Sequence, residues 1–214
     1  MIKKLLYLLI LIFFTCGKAF AVTQDVRLEY NVYGYRFSPG EEKFLLVQAE
    51  KNMDAWENSI LMINRQYYLK EAMRYYFLLS QADNTSIDAQ IGLGRIYDEM
   101  NLNKQAKEHF FLAYNMDSLN PKLNLYFGNY YYKRKQLITA LYHYKRAYED
   151  GYAKDYCLNC RIGNLYEKLA DINSAKEFYV SALKLNPGDI ELTKKIRLLD
   201  ELNYSKSQYY KFGK

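Results

Sequence analysis

The chain has 214 residues, enough for one ordinary domain, with half of them apolar and a quarter charged, so a folded core is within reach and general disorder is excluded. Three prolines and ten glycines are too few for an all-β protein, and a formal charge of +6, of which residues 1–21 supply three, leaves +3, too weak and too evenly spread to make a nucleic-acid-binding surface. Twenty-four tyrosines are the compositional oddity; rings with an apolar body and a polar tip suit half-buried seams between helices.

Met1 to Ala21 reads as an export signal. Lys3 and Lys4 supply a positive start, Leu5 to Phe14 is an unbroken apolar run, and Ala19-Phe20-Ala21 is the small-x-small pattern a signal peptidase cuts, here after Ala21. The run falls short of the roughly 20 residues that span a bilayer, so cleavage is preferred over retention as an anchor. Cys16 raises a lipoprotein reading, but Phe13-Phe14-Thr15 before it lacks the leucine and small residues of such a site. Cleavage removes three lysines and no acids, bringing the formal charge from +6 to +3. The expected location is the periplasm or cell envelope. No second hydrophobic stretch of membrane length follows, so no transmembrane segment is expected after cleavage.

Residues 22–40 alternate at Val26, Leu28, Tyr30 and Val32, a strand period, and break at Ser38-Pro39-Gly40. Residues 41–52 read as a leading helix with Phe44, Leu45, Leu46 and Val47 on its apolar side, so 22–52 is an arm plus helix. A repeat then takes over. Gly94, Gly128 and Gly163 are each preceded by an apolar residue and followed three residues later by Tyr97, Tyr131 or Tyr166. Twelve residues after each glycine stands Ala106, Ala140 or Ala175, then an aromatic (Phe110, Tyr144, Tyr179), then Ala113, Ala147 or Ala182. The glycine spacings are 34 and 35 residues.

This pattern resembles the tetratricopeptide-repeat (TPR) family, with its Trp-x2-Leu-Gly-x2-Tyr, Ala-x3-Phe and Pro signature. The resemblance implies an all-α solenoid of helical hairpins, in about four units at 53–86, 87–120, 121–155 and 156–189. The first unit is degenerate: Trp56, Ala72 and Tyr76 sit at the family's positions, but Ile60 replaces the glycine and Ile63 the tyrosine. Unit three carries an extra residue, placed in the loop Asp150-Gly151-Tyr152. A capping helix is expected at 190–203, with a frayed tail at 204–214.

The resemblance also implies a protein or peptide partner held in the concave groove. Its columns give Asp88, Ile91, Arg95 and Asp98 in unit two, Lys122, Leu125, Asn129 and Tyr132 in unit three, and Arg161, Asn164 and Glu167 in unit four. Unit two is acidic in the groove and units three and four are basic, which suits a partner with an acidic stretch. A carboxylate clamp of the kind some TPR domains use is matched only in part, because Leu125 and Arg161 stand where a lysine and an asparagine are expected.

Cys157-Leu158-Asn159-Cys160 is the one motif with reactive potential. Arg161 replaces the histidine a haem site requires, and a zinc site would need two more ligands, so a local disulfide is the expectation, with two free thiols and redox or metal-handling chemistry as the alternatives. His109 and His143, 34 residues apart, read as two surface or seam histidines too far apart to share a metal. No nucleophile elbow, P-loop, metalloprotease or dinucleotide pattern is present, and neither catalysis, a cofactor nor a metal is expected. The leading functional reading is an exported scaffold, in envelope or secretion-complex assembly; a self-assembling structural component is a further alternative. Nothing in these patterns sets an oligomeric state.

Overall fold

The computed structural model describes residues 38–212, so the export segment, its cleavage point after Ala21 and the alternating stretch up to residue 37 lie outside the described residues. Nine helices are described: α1 Pro39–Asn58, α2 Met62–Ala82, α3 Ile87–Glu99, α4 Asn103–Met116, α5 Pro121–Lys133, α6 Leu137–Ala147, α7 Tyr156–Lys168, α8 Ile172–Leu185 and α9 Ile190–Phe212. They pack as four hairpins, α1/α2, α3/α4, α5/α6 and α7/α8. Each hairpin stacks on the next, and α9 packs on α8. The result is the expected all-α solenoid, with α1, α3, α5 and α7 lining its inner side.

Local chemistry sets the helix starts. The side chains of Ser86, Asn120 and Asp155 accept from the backbone N–H groups of Ala89, Leu123 and Leu158, so α3, α5 and α7 are capped alike. Asn124 and Asn159, four residues past their caps, donate back to the preceding loops: Asn124 Nδ2 to Ser118 O at 2.8 Å, Asn159 Nδ2 to Ala153 O at 3.0 Å. The turns inside these hairpins share one device as well. Asn101, Lys135 and Ala170 take positive φ of 59, 57 and 61°, and the next N–H bonds back to the carbonyl of Tyr97, Tyr131 or Tyr166. The extra residue of unit three is absorbed by a π-helical turn at Tyr148–Tyr152, where Gly151 holds a φ of 153°.

Within each of these hairpins a glycine faces a buried ring. A Cβ at Gly94 would lie 2.9 Å from the Phe110 ring and one at Gly163 2.7 Å from Tyr179; at Gly128 it would meet the Tyr144 ring closer still. Ala106, Ala140 and Ala175 have no exposed surface, so the helices meet through small residues while the aromatics fill the space around them.

The first hairpin departs from the expected register. Ser38 and Glu41 form a reciprocal capping box and Pro39 takes the first helical position, so the break at Ser38-Pro39-Gly40 is a helix start. Nothing interrupts the chain at 52–53, and the expected leading helix and the start of the first unit are one helix that ends at Asn58. Ile60, at the glycine column, is 97 % exposed in the turn, beside exposed Leu61, Met62 and Ile63. Tyr76 accordingly packs against Gly92 of α3 rather than on a glycine of its own hairpin. At the other end α9 runs to Phe212, past the expected boundary at 203, because no glycine or proline occurs between Ile190 and Phe212.

The histidines are structural. His109 Nδ1 lies 2.7 Å from Gln90 Oε1 and stacks on Tyr97, and His143 Nδ1 lies 2.9 Å from Asn124 Oδ1 and stacks on Tyr131. In the last hairpin Phe178 stands in the histidine column, and Asn159 Oδ1 is left without a partner. His143 is 5 % exposed; burial, helped by the Arg146 charge, brings its pKa down to about 4.

Three outcomes follow. Gly128→Ala should cost about 2 kcal/mol in denaturant unfolding, because the ring it meets is fully buried, whereas Gly40→Ala, whose Cβ would meet only the Ser38 hydroxyl at an ordinary 3.9 Å, should be neutral or stabilising by about 0.5 kcal/mol. Ala170→Gly should add about 0.5–1 kcal/mol by relieving a left-handed backbone. The folded state keeps His143 neutral while the unfolded chain protonates below its usual 6.5, so stability is full above 6.5 and lost as pH falls toward 4. Thermal or denaturant unfolding between these limits should show a loss of about 2 kcal/mol that His143→Gln, which keeps a donor for Asn124, largely removes.

Candidate functional site

The inner faces of α1, α3, α5 and α7 enclose a cleft of about 630 Å³. Met53, Trp56 and Glu57 come from α1, Arg95, Asp98 and Glu99 from α3, Leu125, Tyr126, Asn129, Tyr132 and Lys133 from α5, and Cys157, Cys160, Arg161 and Asn164 from α7. Of the groove residues expected from the repeat columns, Arg95, Asp98, Leu125, Asn129, Tyr132, Arg161 and Asn164 line this cleft together. The others stand elsewhere. Ile91 is wholly buried in the core between Ala106, Phe110 and Leu123 and offers nothing to an occupant. Lys122 donates to Glu50 at 2.5 Å and Asp88 at 2.8 Å, tying α5 to α1 and α3. Burial works against the Lys122 charge, but these hydrogen bonds outweigh it and raise its pKa. Glu167 accepts from Tyr179 at 2.8 Å and Lys195 at 2.9 Å, which turns it toward α9; burial opposes its charge, but those contacts hold its pKa below the usual range.

Neutralisation within the cleft is uneven. Arg95, only 8 % exposed, is fixed between Glu57 at 2.7 Å and the face of Tyr126 at 3.9 Å. Asp98 is buried and paired with Lys133 at 3.0 Å and Arg134 at 2.7 Å, while Lys133 also meets Glu99. The acids of the second hairpin are thus matched by the bases of the third. Arg161 is exposed and meets no carboxylate among the described residues; it donates to Asn129 Oδ1 at 2.6 Å, which also accepts from the Tyr144 hydroxyl at 2.7 Å, and it hydrogen-bonds with that hydroxyl as well. Burial pushes that phenol up to about 12, so it stays a donor. Asn164 has no side-chain partner among the described residues and keeps both amide donors and its oxygen for a ligand. Lys168, two turns from Arg161, donates to the Tyr132 hydroxyl at 2.7 Å and meets no carboxylate among the described residues.

Cys157 and Cys160 stand as free thiols, not as the disulfide expected from the sequence. Residues three apart on a helix have Cβ atoms roughly 5–6 Å apart, wider than the about 3.5–4.5 Å of a disulfide, so the regular first turn of α7 holds them open. Among the described residues no three His, Cys, Asp or Glu side chains converge as a metal-binding set. The repeat columns missed Trp56, Glu57 and Tyr126, because α1 follows a register of its own and Tyr126 flanks its column. They also missed the polar ladder, whose sequence signal is a Gln or Asn followed 19 residues later by His, at 90/109 and 124/143.

No curated protein compared with the chain matches it. A model of the tetratricopeptide repeat matches residues 158–189, which form α7 and α8. Among solved structures, MamA is similar at 18 % identity and a TM-score of 0.55, covering 77 % of this chain and 88 % of its own. PilF of Pseudomonas aeruginosa is similar at 17 % identity and 0.62, covering 79 % and 72 %. YrrB, described as a TPR protein with an unusual peptide-binding site, is similar at 20 % identity and 0.53, covering 73 % and 85 %. The chain thus carries a tetratricopeptide repeat in its α7/α8 hairpin and has the fold of a tetratricopeptide-repeat solenoid.

Proposed function

We propose that this chain is an exported protein-interaction scaffold that holds an extended, acidic segment of a partner protein in its inner groove, in the service of envelope or secretion-complex assembly. The observation that carries the binding reading is Arg161, the one cleft cation with no carboxylate partner among the described residues, flanked by the amides of Asn129 and Asn164. Guanidinium takes a carboxylate in two parallel hydrogen bonds, and neighbouring amides pair with the backbone of an extended chain. Lys168 adds a second positive charge along the same helix. YrrB, with its peptide-binding site on the same fold, supports a peptide occupant. The export half of the reading rests on the apolar segment and small-x-small pattern of residues 1–21. The self-assembling alternative has the exposed Ile60-Leu61-Met62-Ile63 turn in its favour.

Selection of displayed random peptides on the full chain should enrich sequences containing Asp or Glu. The Arg161→Ala/Asn164→Ala double variant should lose that enrichment, and an enriched peptide should bind it about tenfold or more weakly, with binding to the unsubstituted chain falling as salt rises. Equal enrichment by both proteins would remove the groove as the binding site.

A further inference from the structure

The cysteines occupy the same wall of the cleft as Arg161 and Asn164, one helical turn apart, and their environments differ. Cys157 is the second residue of α7, exposed at the cleft, where its backbone N–H has no intrahelical acceptor. Cys160 is half-buried beneath α9, packed in the cluster that contains Tyr179 and Leu192 and hydrogen-bonded with the Tyr156 hydroxyl, which itself donates to Asp189. Burial raises the Cys160 thiol above its ordinary value despite that hydrogen bond. Two free thiols of unequal exposure at the open end of a helix, beside a place built to hold a peptide, have the layout that thiol–disulfide exchange requires: an accessible attacking sulfur and a second sulfur within one turn to displace it.

We infer that Cys157 and Cys160 form a thiol–disulfide exchange site in the groove wall, with a disulfide-bonded protein segment as substrate. The Cys157 thiolate attacks one sulfur of the segment's disulfide; that S–S bond breaks, and the sulfur set free leaves as a thiolate and takes a proton. Cys160, giving up its proton, then attacks Cys157 Sγ in the mixed disulfide, and the segment's other sulfur leaves. The segment gains two electrons and two protons and becomes a dithiol, while the pair loses them and becomes a disulfide. Closing the bridge draws the first turn of α7 out of its regular form, so the exchange also runs in reverse: a dithiol segment takes the disulfide from the pair, giving up two electrons and two protons, and the pair returns to two thiols. The inference rests on the groove reading for its substrate, since the segment is held there, but the exchange chemistry does not need Arg161.

The test uses the full chain with Cys16→Ser, so that only the pair reacts, treated with oxidised glutathione at neutral pH and followed by intact mass. The pair should pass to an internal disulfide without retaining glutathione. Cys160→Ser should retain one glutathione on Cys157, and Cys157→Ser should react about tenfold more slowly than Cys160→Ser. Alkylation mapping on the otherwise unsubstituted pair should likewise find Cys157 modified first, independent of any effect of substitution on folding. Equal reactivity of the two sulfurs, or glutathione retained on both without a bridge, would overturn the inference. Arg161→Ala separates the two readings: loss of peptide selection with glutathione exchange intact places the site correctly, whereas failed exchange with peptide selection intact leaves a groove without redox chemistry.

Discussion

The close approach of a glycine to a buried aromatic ring, made inside three successive hairpins, is the contact on which the rest of the structure depends. Gly94, Gly128 and Gly163 let Phe110, Tyr144 and Tyr179 lie flat against the backbone of the inner helix, and any side chain there would strike the ring. Because the rings of Tyr144 and Tyr179 sit on the inner helix, their hydroxyls reach its polar side chains. Tyr144 thus donates a hydrogen bond to Asn129 Oδ1, and Tyr179 donates one to Glu167. Tyr144, which locks the α5/α6 hairpin, therefore also orients a polar group of the concave face, and Tyr179 ties its hairpin to the α9 side through Glu167. A glycine in a helix costs about 1 kcal/mol relative to alanine, and here that cost is offset by the ring it admits.

Stacking then decides the electrostatics. Repeats 34 or 35 residues apart bring the acids of α3 against the bases of α5, and Lys122, Lys133 and Arg134 are spent on Asp88, Asp98 and Glu99. An acidic unit beside a basic one thus yields a seam, not two opposed binding patches. The last hairpin has no such neighbour among the described residues: α9 supplies Lys195 to Glu167, and no carboxylate there pairs with Arg161. The end of the stack is consequently where charge remains for an outside ligand, and the two thiols stand on that same helix.

The repeat was legible because its causes are steric and recur at fixed spacing: small residue, ring and turn stand at the same columns in α3/α4, α5/α6 and α7/α8. Unit one was misregistered because Trp56, Ala72 and Tyr76 match the columns while α1, started by the Ser38–Glu41 box, ends before Ile60. The helical extension to Phe212 was hidden by a tyrosine- and lysine-rich composition that looks like a tail but contains no breaker. Within the groove, columns predict which face a residue is on but not how far its side chain is covered. Ile91 is therefore in the core, and Lys122 is tied to two carboxylates. The pairing of Gln90 with His109 and Asn124 with His143 needed two helices at once and could be read only from the recurring interval of 19 residues.

The central claim is that the concave face, at α5 and α7, is where this scaffold meets its partner. A crystal structure of the chain with an acidic peptide enriched by selection tests it most directly. The account predicts an extended peptide along the groove, with a carboxylate on Arg161 and its backbone against Asn129 and Asn164. A peptide seated instead on the outer helices, or on the exposed turn at Ile60 to Ile63, would contradict it.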